Sequence, residues 1–205
     1  EFETGVDWLG VGYGATPELV EFWAENGFRT VHLSTTRNDA SGEYSAVMVD
    51  PCSADGRALV RRHTGWFLDR IGSVLSDPLS DLDPDVARAA LRAVEGAPEL
   101  DLSAWDRRLV AGMAGGAAIF DTNPAPVRRL ALRHLCAPAE DHDLPDRQER
   151  LLVRKVLQGH SWGTVAEELG FHSHSECMRD LGATVERLVG LYCEEATQEE
   201  LDRHR

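Results

Sequence analysis

Apolar and polar positions change their period near residue 54. Before it the pattern is that of short strands around one helix. Trp8 to Gly14 (WLGVGYG) is apolar with glycines at alternate positions, which predicts a strand whose backbone passes close to a neighbour. Thr16, Pro17 and Glu18 form a helix start: an N-cap oxygen, a proline at the first helical position and a carboxylate in the first turn. Leu19, Phe22 and Trp23 share one apolar stripe, expected to face the sheet, and Asn26-Gly27 ends the helix. Thr30 to Leu33 reads as a strand and Asn38 to Gly42 as a turn. Tyr44 to Val49 reads as the returning strand of a hairpin, with Ser45, Val47 and Val49 on one face and Ala46 and Met48 on the other. Pro51 closes the unit. Such a strand-helix-strand-strand piece needs further strands beside it to own a sheet core.

Beyond residue 54 the spacing is helical. Gly56 to Leu75 carries Leu59, Val60, Phe67, Leu68, Ile71 and Leu75, with Arg57, Arg61, Arg62 and Arg70, an amphipathic helix with a basic beginning. An acidic turn, Asp77 to Asp85, leads to a second helix, Pro84 to Val94, and to a Gly96-Ala97-Pro98 loop. Ser103 caps a third helix to Met113, and the following GGAAIF can pack closely. A fourth helix, Val127 to Leu135, holds Arg128, Arg129 and Arg133. The polar, two-proline stretch Ala137 to Asp146 reads as a flexible joint. Helices are then expected at Arg147 to Gly159 and Trp162 to Leu169. After a Gly170-Phe171 turn, Ser173 or Ser175 caps a longer helix with Cys177, Leu181, Val185, Leu188 and Leu191 on its apolar face. Helix, turn, longer helix is the form of a helix-turn-helix. The expected fold class is α+β: the strand-helix-strand-strand segment, then a mostly helical domain with a helix-turn-helix-like end. The expected division is 1–51, 52–136, a linker at 137–146, and 147–205.

Charge changes the functional picture. Thirty-five carboxylates face 21 basic residues for a net charge of -14, and the basic side is 20 arginines and one lysine, Lys155. That surface fits adaptation to high salt, where screening relieves self-repulsion; an ordinary acidic protein from a GC-rich genome is the plainer alternative. At molar salt, long-range attraction to phosphate is weak, so local arginine contacts must carry any RNA binding. Positive charge is locally in excess at Arg61-Arg62, at Arg128, Arg129 and Arg133, and at Arg150 and Arg154; Arg179 and Arg187 stand on the last helix. The competing expectation is that these arginines pair with the carboxylates in solvent. No apolar run approaches the roughly 20 residues of a membrane span, and nothing resembles a signal peptide. Cys52, Cys136, Cys177 and Cys193 fit neither a zinc knuckle nor a disulfide framework, which suits a reducing cytoplasm. His160, His172, His174 and Cys177 do not match a structural zinc spacing, so no metal is expected. Ser161, His160 and Glu167 lack a nucleophile elbow.

The run GYGATPELVEFWAENGFRTVHLSTTRNDASGEYSAVMV, through its GATPEL, FW, NGF and RND-SGEYSAVM motifs, closely resembles the end of the acetyltransferase domain in RNA cytidine acetyltransferases. These include the enzymes that acetylate the anticodon of elongator methionine tRNA. The close likeness covers about a quarter of the chain, and the remainder is more loosely similar to that family's carboxy-terminal RNA-binding region. The resemblance implies a GNAT-like domain, an upstream ATPase resembling RNA helicases, and use of acetyl-CoA and ATP to make N4-acetylcytidine. It sets Glu18, Phe22 and Trp23 beside the cofactor, with Phe28 anchoring the next turn. Glu25 stands where family members often carry a basic residue, and Arg29 or Arg37 could replace that phosphate contact. The loop at 37–43 is placed near the acyl acceptor. Arg37, Arg61, Arg62, Arg128, Arg129, Arg133, Arg150, Arg154 and Arg179 become the candidate RNA contacts. Phosphate-binding loops are expected upstream of Glu1, so this chain alone is expected to be inactive, with upstream ATPase and acetyltransferase regions and methionine tRNA as partners, in a haloarchaeal cytoplasm. No catalytic base is evident; His32 is the one histidine in the acetyltransferase-like segment. Two rival expectations remain: a DNA-binding regulator reading through Trp162 to Val189, and a structural docking domain.

Overall fold

The computed structural model describes residues 5–113, 117–138 and 144–193. By contact the chain divides into two compact units, Glu1–Ala97 and Pro98–Arg205.

The first unit runs β1 (Trp8–Gly14), α1 (Pro17–Glu25), β2 (Arg29–Arg37), β3 (Tyr44–Pro51), α2 (Ala54–Leu75) and α3 (Pro84–Arg92). The strands form an antiparallel sheet in the order β1-β3-β2. β1 pairs with β3 without interruption from Trp8↔Pro51 to Gly14↔Ser45. Between β2 and β3 the register shifts twice, from Thr30 to His32 and from Leu33 to Arg37. Strand alternation sets the two faces as expected. Ala46 and Met48 are fully buried on one, where the Tyr13 hydroxyl reaches Met48 Sδ at 2.7 Å. On the other, Val49 packs with Val31 of β2 and Val60 of α2.

The caps of α1 are those the sequence predicts. Thr16 Oγ1 accepts from the Leu19 amide, Pro17 opens the helix, and Asn26 with Gly27 (φ 94°) closes it. Of its apolar stripe, Trp23 packs inward as expected, but Leu19 and Phe22 do not. Leu19 is 43% and Phe22 53% exposed, and Val20 is the buried residue. The helix docks instead through Val20 and Trp23, whose ring lies 6.3 Å from Tyr13 and 4.9 Å from Phe28. Those two positions are three apart, so the buried face is rotated and Leu19 and Phe22 turn outward.

Packing of α2 on β2 and β3 and of α3 on α1 joins residues 54–92 to the sheet, so the change of sequence period at 51/52 is not a break in contacts. The start of α2 is fixed to the start of β1. The amides of Cys52 and Ser53 donate to the Asp7 carbonyl at 2.9 and 3.2 Å, and Ser53 Oγ donates to Asp7 Oδ1 at 2.7 Å. Gly56 lies directly against that same Asp7 carbonyl, where a Cβ would collide with backbone.

The second unit runs α4 (Ala104–Gly112), a 3-10 turn (Ala117–Thr122), α5 (Ala125–Leu135), α6 (Asp146–Leu151), α7 (Trp162–Glu168) and α8 (His174–Tyr192). Ser103 caps α4 in a reciprocal box with Asp106, and Ser173 rather than Ser175 caps α8. Cys177, Leu181, Val185 and Leu188 are all fully buried, while Leu191 is exposed. The helix expected across Arg147 to Gly159 widens after α6 into a π turn, Leu152–Leu157, where the Gln158 amide reaches back to the Val153 carbonyl at 2.8 Å. Leu151, Leu152, Val153, Val156 and Leu157 are fully buried, a run too continuous for one face of a 3.6-residue helix. Part of the GGAAIF stretch and the middle of the 137–146 joint lie outside the described residues.

Candidate cofactor and nucleic-acid surfaces

The five residues assigned to the cofactor lie along α1 and its exit. Glu18 and Phe22 are exposed on the helix; Trp23 is half-buried, edge-on to Phe22 at 5.2 Å; Phe28 is buried beneath it. Arg29 closes the C-terminal end of α1, its Nη1 donating to the carbonyls of Ala24 (3.1 Å) and Phe28 (3.0 Å). A cation there satisfies carbonyls that the helix leaves open and complements its dipole.

The other face of the sheet carries a pocket that the sequence reading did not single out. Its volume is about 440 Å³. Leu59, His63, Trp66 and Arg70 of α2 line it, a 4-3-4 spacing that puts all four on one helix face. Between Thr30 and His32 the β2 strand advances two residues while β3 advances one, which makes Val31 the extra residue of a β-bulge. The bulge lets the adjacent Val31 and His32 line the same pocket, which a regular strand would forbid. From β1 comes Trp8, whose indole lies over Gly10; a Cβ at Gly10 would stand 2.9 Å from that ring.

Arg70 Nη2 lies 2.7 Å from His32 Nδ1. A guanidinium only donates, so Nδ1 is the acceptor and the neutral ring carries its proton on Nε2. Burial first, and the charge of Arg70 second, hold the His32 imidazole below its usual range. With Nδ1 occupied and Nε2 protonated, His32 is a hydrogen-bond donor in this state and not a proton acceptor.

The candidate RNA contacts differ in how their guanidinium groups are engaged. Among the described residues, Arg61, Arg62 and Arg179, all exposed, have no ion-pair or hydrogen-bond partner. Arg37 lies over the Tyr44 ring at 4.9 Å and donates to the Asp81 carbonyl at 3.4 Å. In the second unit, Arg128 Nε donates to the Val156 carbonyl at 3.0 Å. Arg129 bridges the Asp101 carbonyl (2.9 Å) and Asp106 Oδ2 (3.2 Å). Arg133 reaches the Pro98 carbonyl at 3.5 Å and stacks on Tyr192 at 5.7 Å. Arg154 Nη1 donates to Gln158 at 3.1 Å, and its Nε is 3.0 Å from Glu168 Oε2, paired by charge though off the hydrogen-bonding direction. Arg150 is half-buried and engaged. On the helix-turn-helix-like end, Arg147 lies 3.7 Å over the Phe171 ring and 3.7 Å from Glu176. Cys177 is buried there, its thiol pushed up to about 11 by burial first and Asp180 second, so it offers no thiolate.

The family profile GNAT acetyltransferase 2 matches residues 2–53. The tRNA(Met) cytidine acetyltransferase TmcA of Haloarcula marismortui is 63% identical over 204 residues, covering 100% of this chain and 26% of that protein. Its namesake in Haloferax volcanii is 55% identical over 205 residues, covering 100% of this chain and 27% of that protein. This chain matches the carboxy-terminal part of the tRNA(Met) cytidine acetyltransferase family. The likeness extends to the tRNA(Met) cytidine acetyltransferase TmcA of Pyrococcus furiosus, 35% identical over 82% of this chain and 21% of that protein. The chain thus spans about a quarter of the length of these curated relatives.

Set on the structure, the profile match takes in β1 to β3 and stops at the N-cap of α2. The β1-β3-β2 sheet is therefore the GNAT-like part. The pairwise matches run on through both units. No helix among the described residues is long and apolar enough to cross a membrane.

Proposed function

We propose that this chain is the carboxy-terminal portion of a tRNA cytidine N4-acetyltransferase, and that its main task is to bind and position methionine tRNA beside the acetyl-CoA site. The observation that carries the reading is 63% identity to a tRNA(Met) cytidine acetyltransferase along the whole chain, helical unit included. Residues 1–51 close one side of the acetyl-CoA cleft, with Glu18, Phe22, Trp23, Phe28 and Arg29 on the cofactor's side. Residues 52–136 and 147–205, joined by 137–146, hold the RNA. ATP is used by an upstream region of the same protein. The cytidine amine is a weak nucleophile because its lone pair is shared with the ring, so the chain's contribution is placement and charge stabilisation rather than proton abstraction. The donor state of His32 supports that division of labour. Arg61, Arg62 and Arg179, which have no partner among the described residues, are the first phosphate contacts; Arg37, Arg128, Arg129, Arg133, Arg150 and Arg154 lend charge from tethered positions. The acidic, lysine-poor surface and the halophilic relatives suit a cytoplasm rich in salt.

The test is binding of the full-length protein to methionine tRNA and to duplex DNA of matched length, across about 0.2 to 3 M potassium chloride. Preferential tRNA binding that persists at high salt is the expected result. Tight, sequence-dependent DNA binding would replace this reading with a helix-turn-helix regulator built on α7 and α8.

A further inference from the structure

Inside the second unit a hydrogen-bonded chain crosses three helices. Glu149 of α6 and His134 of α5 are both fully buried. His134 Nε2 lies 3.2 Å from Glu149 Oε1, and Nδ1 lies 3.0 Å from the Tyr192 hydroxyl at the end of α8. A carboxylate only accepts, so the ring carries its proton on Nε2 and, when neutral, accepts the Tyr192 hydroxyl at Nδ1. Every donor then points one way, from Tyr192 through His134 to Glu149. Taking a carboxylate out of water is costly, and apolar side chains of similar volume hold helices together at least as well. What the polar chain adds is geometry: it fixes one position and one ring angle for Tyr192. That ring supports a neighbour. Arg133 precedes His134 on α5, and adjacent residues of a helix point about 100° apart. His134 turns inward to the Tyr192 hydroxyl, while the Arg133 guanidinium lies over the ring face, 5.7 Å from its centre. Arg133 Nη1 also reaches the Pro98 carbonyl at 3.5 Å, the outer limit of a hydrogen bond. Neither contact occupies the whole fork, and a guanidinium resting on an aromatic face keeps its N–H edge for a second ligand. Arg129, one turn earlier on the same face, is already neutralised by Asp106. Arg133 has no carboxylate partner among the described residues, in a chain with 35 carboxylates. Helix α5 holds Arg128, Arg129 and Arg133 and no acidic residue, which suits a polyanion.

We propose that Arg133 grips a phosphate of the bound tRNA through this edge, and that Glu149, His134 and Tyr192 are positioning residues that aim it. The buried carboxylate sets the tautomer of His134, the imidazole sets the Tyr192 ring, and the ring sets the plane of the guanidinium. A bidentate phosphate contact depends on that plane, which is why its orientation is worth a buried polar chain. The inference rests on the RNA-binding reading above and adds to it which buried groups set an arginine's aim.

The experiment is a double-mutant cycle on methionine tRNA binding by the full-length protein, measured across a potassium chloride series. Arg133→Ala is expected to weaken binding about tenfold and to lower the slope of log affinity against log salt by about 0.7 to 0.9. Arg133→Lys, a point charge without the fork, should restore the slope but not the whole affinity. Tyr192→Phe deletes only the hydroxyl that His134 holds, and is expected to weaken binding about threefold, as is His134→Gln, which keeps a donor for Glu149 but withdraws the acceptor at Nδ1. In the Arg133→Ala background neither change should cost anything further, because both act through that guanidinium. Glu149→Gln, which keeps an acceptor for Nε2–H, should bind better than Glu149→Leu. Unfolding midpoints identify any variant that fails to fold; if His134→Gln is one, Tyr192→Phe carries the cycle. Losses that multiply in the double variants would mean that these groups act on the fold rather than through Arg133, and overturn the inference. If Arg133→Ala keeps the parent's affinity and slope while Arg61→Ala still weakens binding, the fork serves a protein carboxylate and this inference fails alone. A parent protein with no preference for tRNA removes the underlying reading as well.

Discussion

Lys155 Nζ lies 4.4 Å from the centre of the Trp162 ring, and both side chains bind the same carboxylate. Lys155 is 3.1 Å from Asp121 Oδ1, and Trp162 Nε1 donates to Asp121 Oδ2 at 2.7 Å. Lys155 also donates to the His160 carbonyl at 3.2 Å. The chain's one lysine therefore ties the 3-10 turn, the π turn and the start of α7 together. Lys155→Met keeps most of the stem but strands these acceptors, and should cost about 2 kcal/mol of stability. Burial alone would raise the Asp121 carboxyl, but hydrogen bonds from Trp162 and Lys155 and the charge of Lys155 outweigh it and hold the group below its usual range. A depressed folded pKa means that its stabilisation is full above the ordinary carboxylate range and is lost as pH falls through the folded value. Urea titrations from neutral to acid pH should show the Lys155→Met deficit shrinking as Asp121 protonates.

Two glycines of α2 should respond in opposite directions to the same change. At Gly56 an added methyl meets the Asp7 carbonyl, a backbone atom held by two hydrogen bonds, from the Cys52 and Ser53 amides at the N-cap. Gly56→Ala is expected to destabilise the first unit by about 1 to 3 kcal/mol. Nothing lies within 4 Å of the corresponding atom at Gly65. There the substitution gains helix propensity and should stabilise by roughly 0.5 to 1 kcal/mol. Thermal unfolding of the pair measures both, and equal effects would contradict the docking of α2 on β1.

Much of this was legible in residue spacing, and the exceptions have physical causes. Thr16 and Ser103 announce their caps because a side-chain oxygen two or three residues before free amides is a local arrangement. The buried run Cys177, Leu181, Val185, Leu188 is legible because a long helix repeats its face several times. The nine residues of α1 offer two apolar faces, and only contact with Tyr13 and Phe28 selects Val20 and Trp23 over Leu19 and Phe22. A bulge adds one residue without leaving a compositional mark, so Val31 and His32 read as opposite faces of a strand. The pairings that define the pocket and the lysine node are non-local: Arg70 meets His32 from 38 positions away and Trp162 meets Asp121 from 41. The 4-3-4 spacing of Leu59, His63, Trp66 and Arg70 was the one signal of the pocket available in the chain itself.

Acid should release the pocket before it unfolds the sheet. The folded pKa of His32 lies below its usual value, so between the ordinary imidazole range and that lower value the unfolded chain binds the proton more readily. The His32 contribution to stability is therefore present above about pH 6.5 and declines as pH falls through the folded value. Protonation also removes the acceptor for Arg70. The imidazole carbon-bound protons of His32 in NMR spectra should titrate with a midpoint below the ordinary imidazole value of about 6.5. Arg70→Met should bring the midpoint closer to that value.

Salt should stabilise this chain. A net charge of -14 spread over a small surface repels itself, and the screening length falls from about 8 to 3 Å between roughly 0.15 and 1 M salt. The unfolding midpoint is expected to rise across that range in potassium chloride. Replacing a few exposed acids, for example Glu18, Glu21 and Glu25 of α1, with glutamine should flatten the dependence, since each change removes like charge without touching the core. A midpoint that falls or stays level with salt would argue instead for an ordinary acidic protein.

Open and tethered arginines should separate in a binding experiment. Arg61 and Arg62 are exposed without partners among the described residues, so truncating them costs no internal contact. Each alanine should weaken methionine tRNA binding by the full-length protein and lower the slope of log affinity against log salt by about 0.7 to 0.9, without moving the unfolding midpoint. Arg128 is different: its Nε holds the Val156 carbonyl at the far end of the π turn, and that buried acceptor loses its partner in Arg128→Ala. Its signature should be a stability loss of about 1 to 2 kcal/mol. A fall in affinity for Arg128→Ala without a fall in stability would place that arginine on the RNA as directly as Arg61 and Arg62.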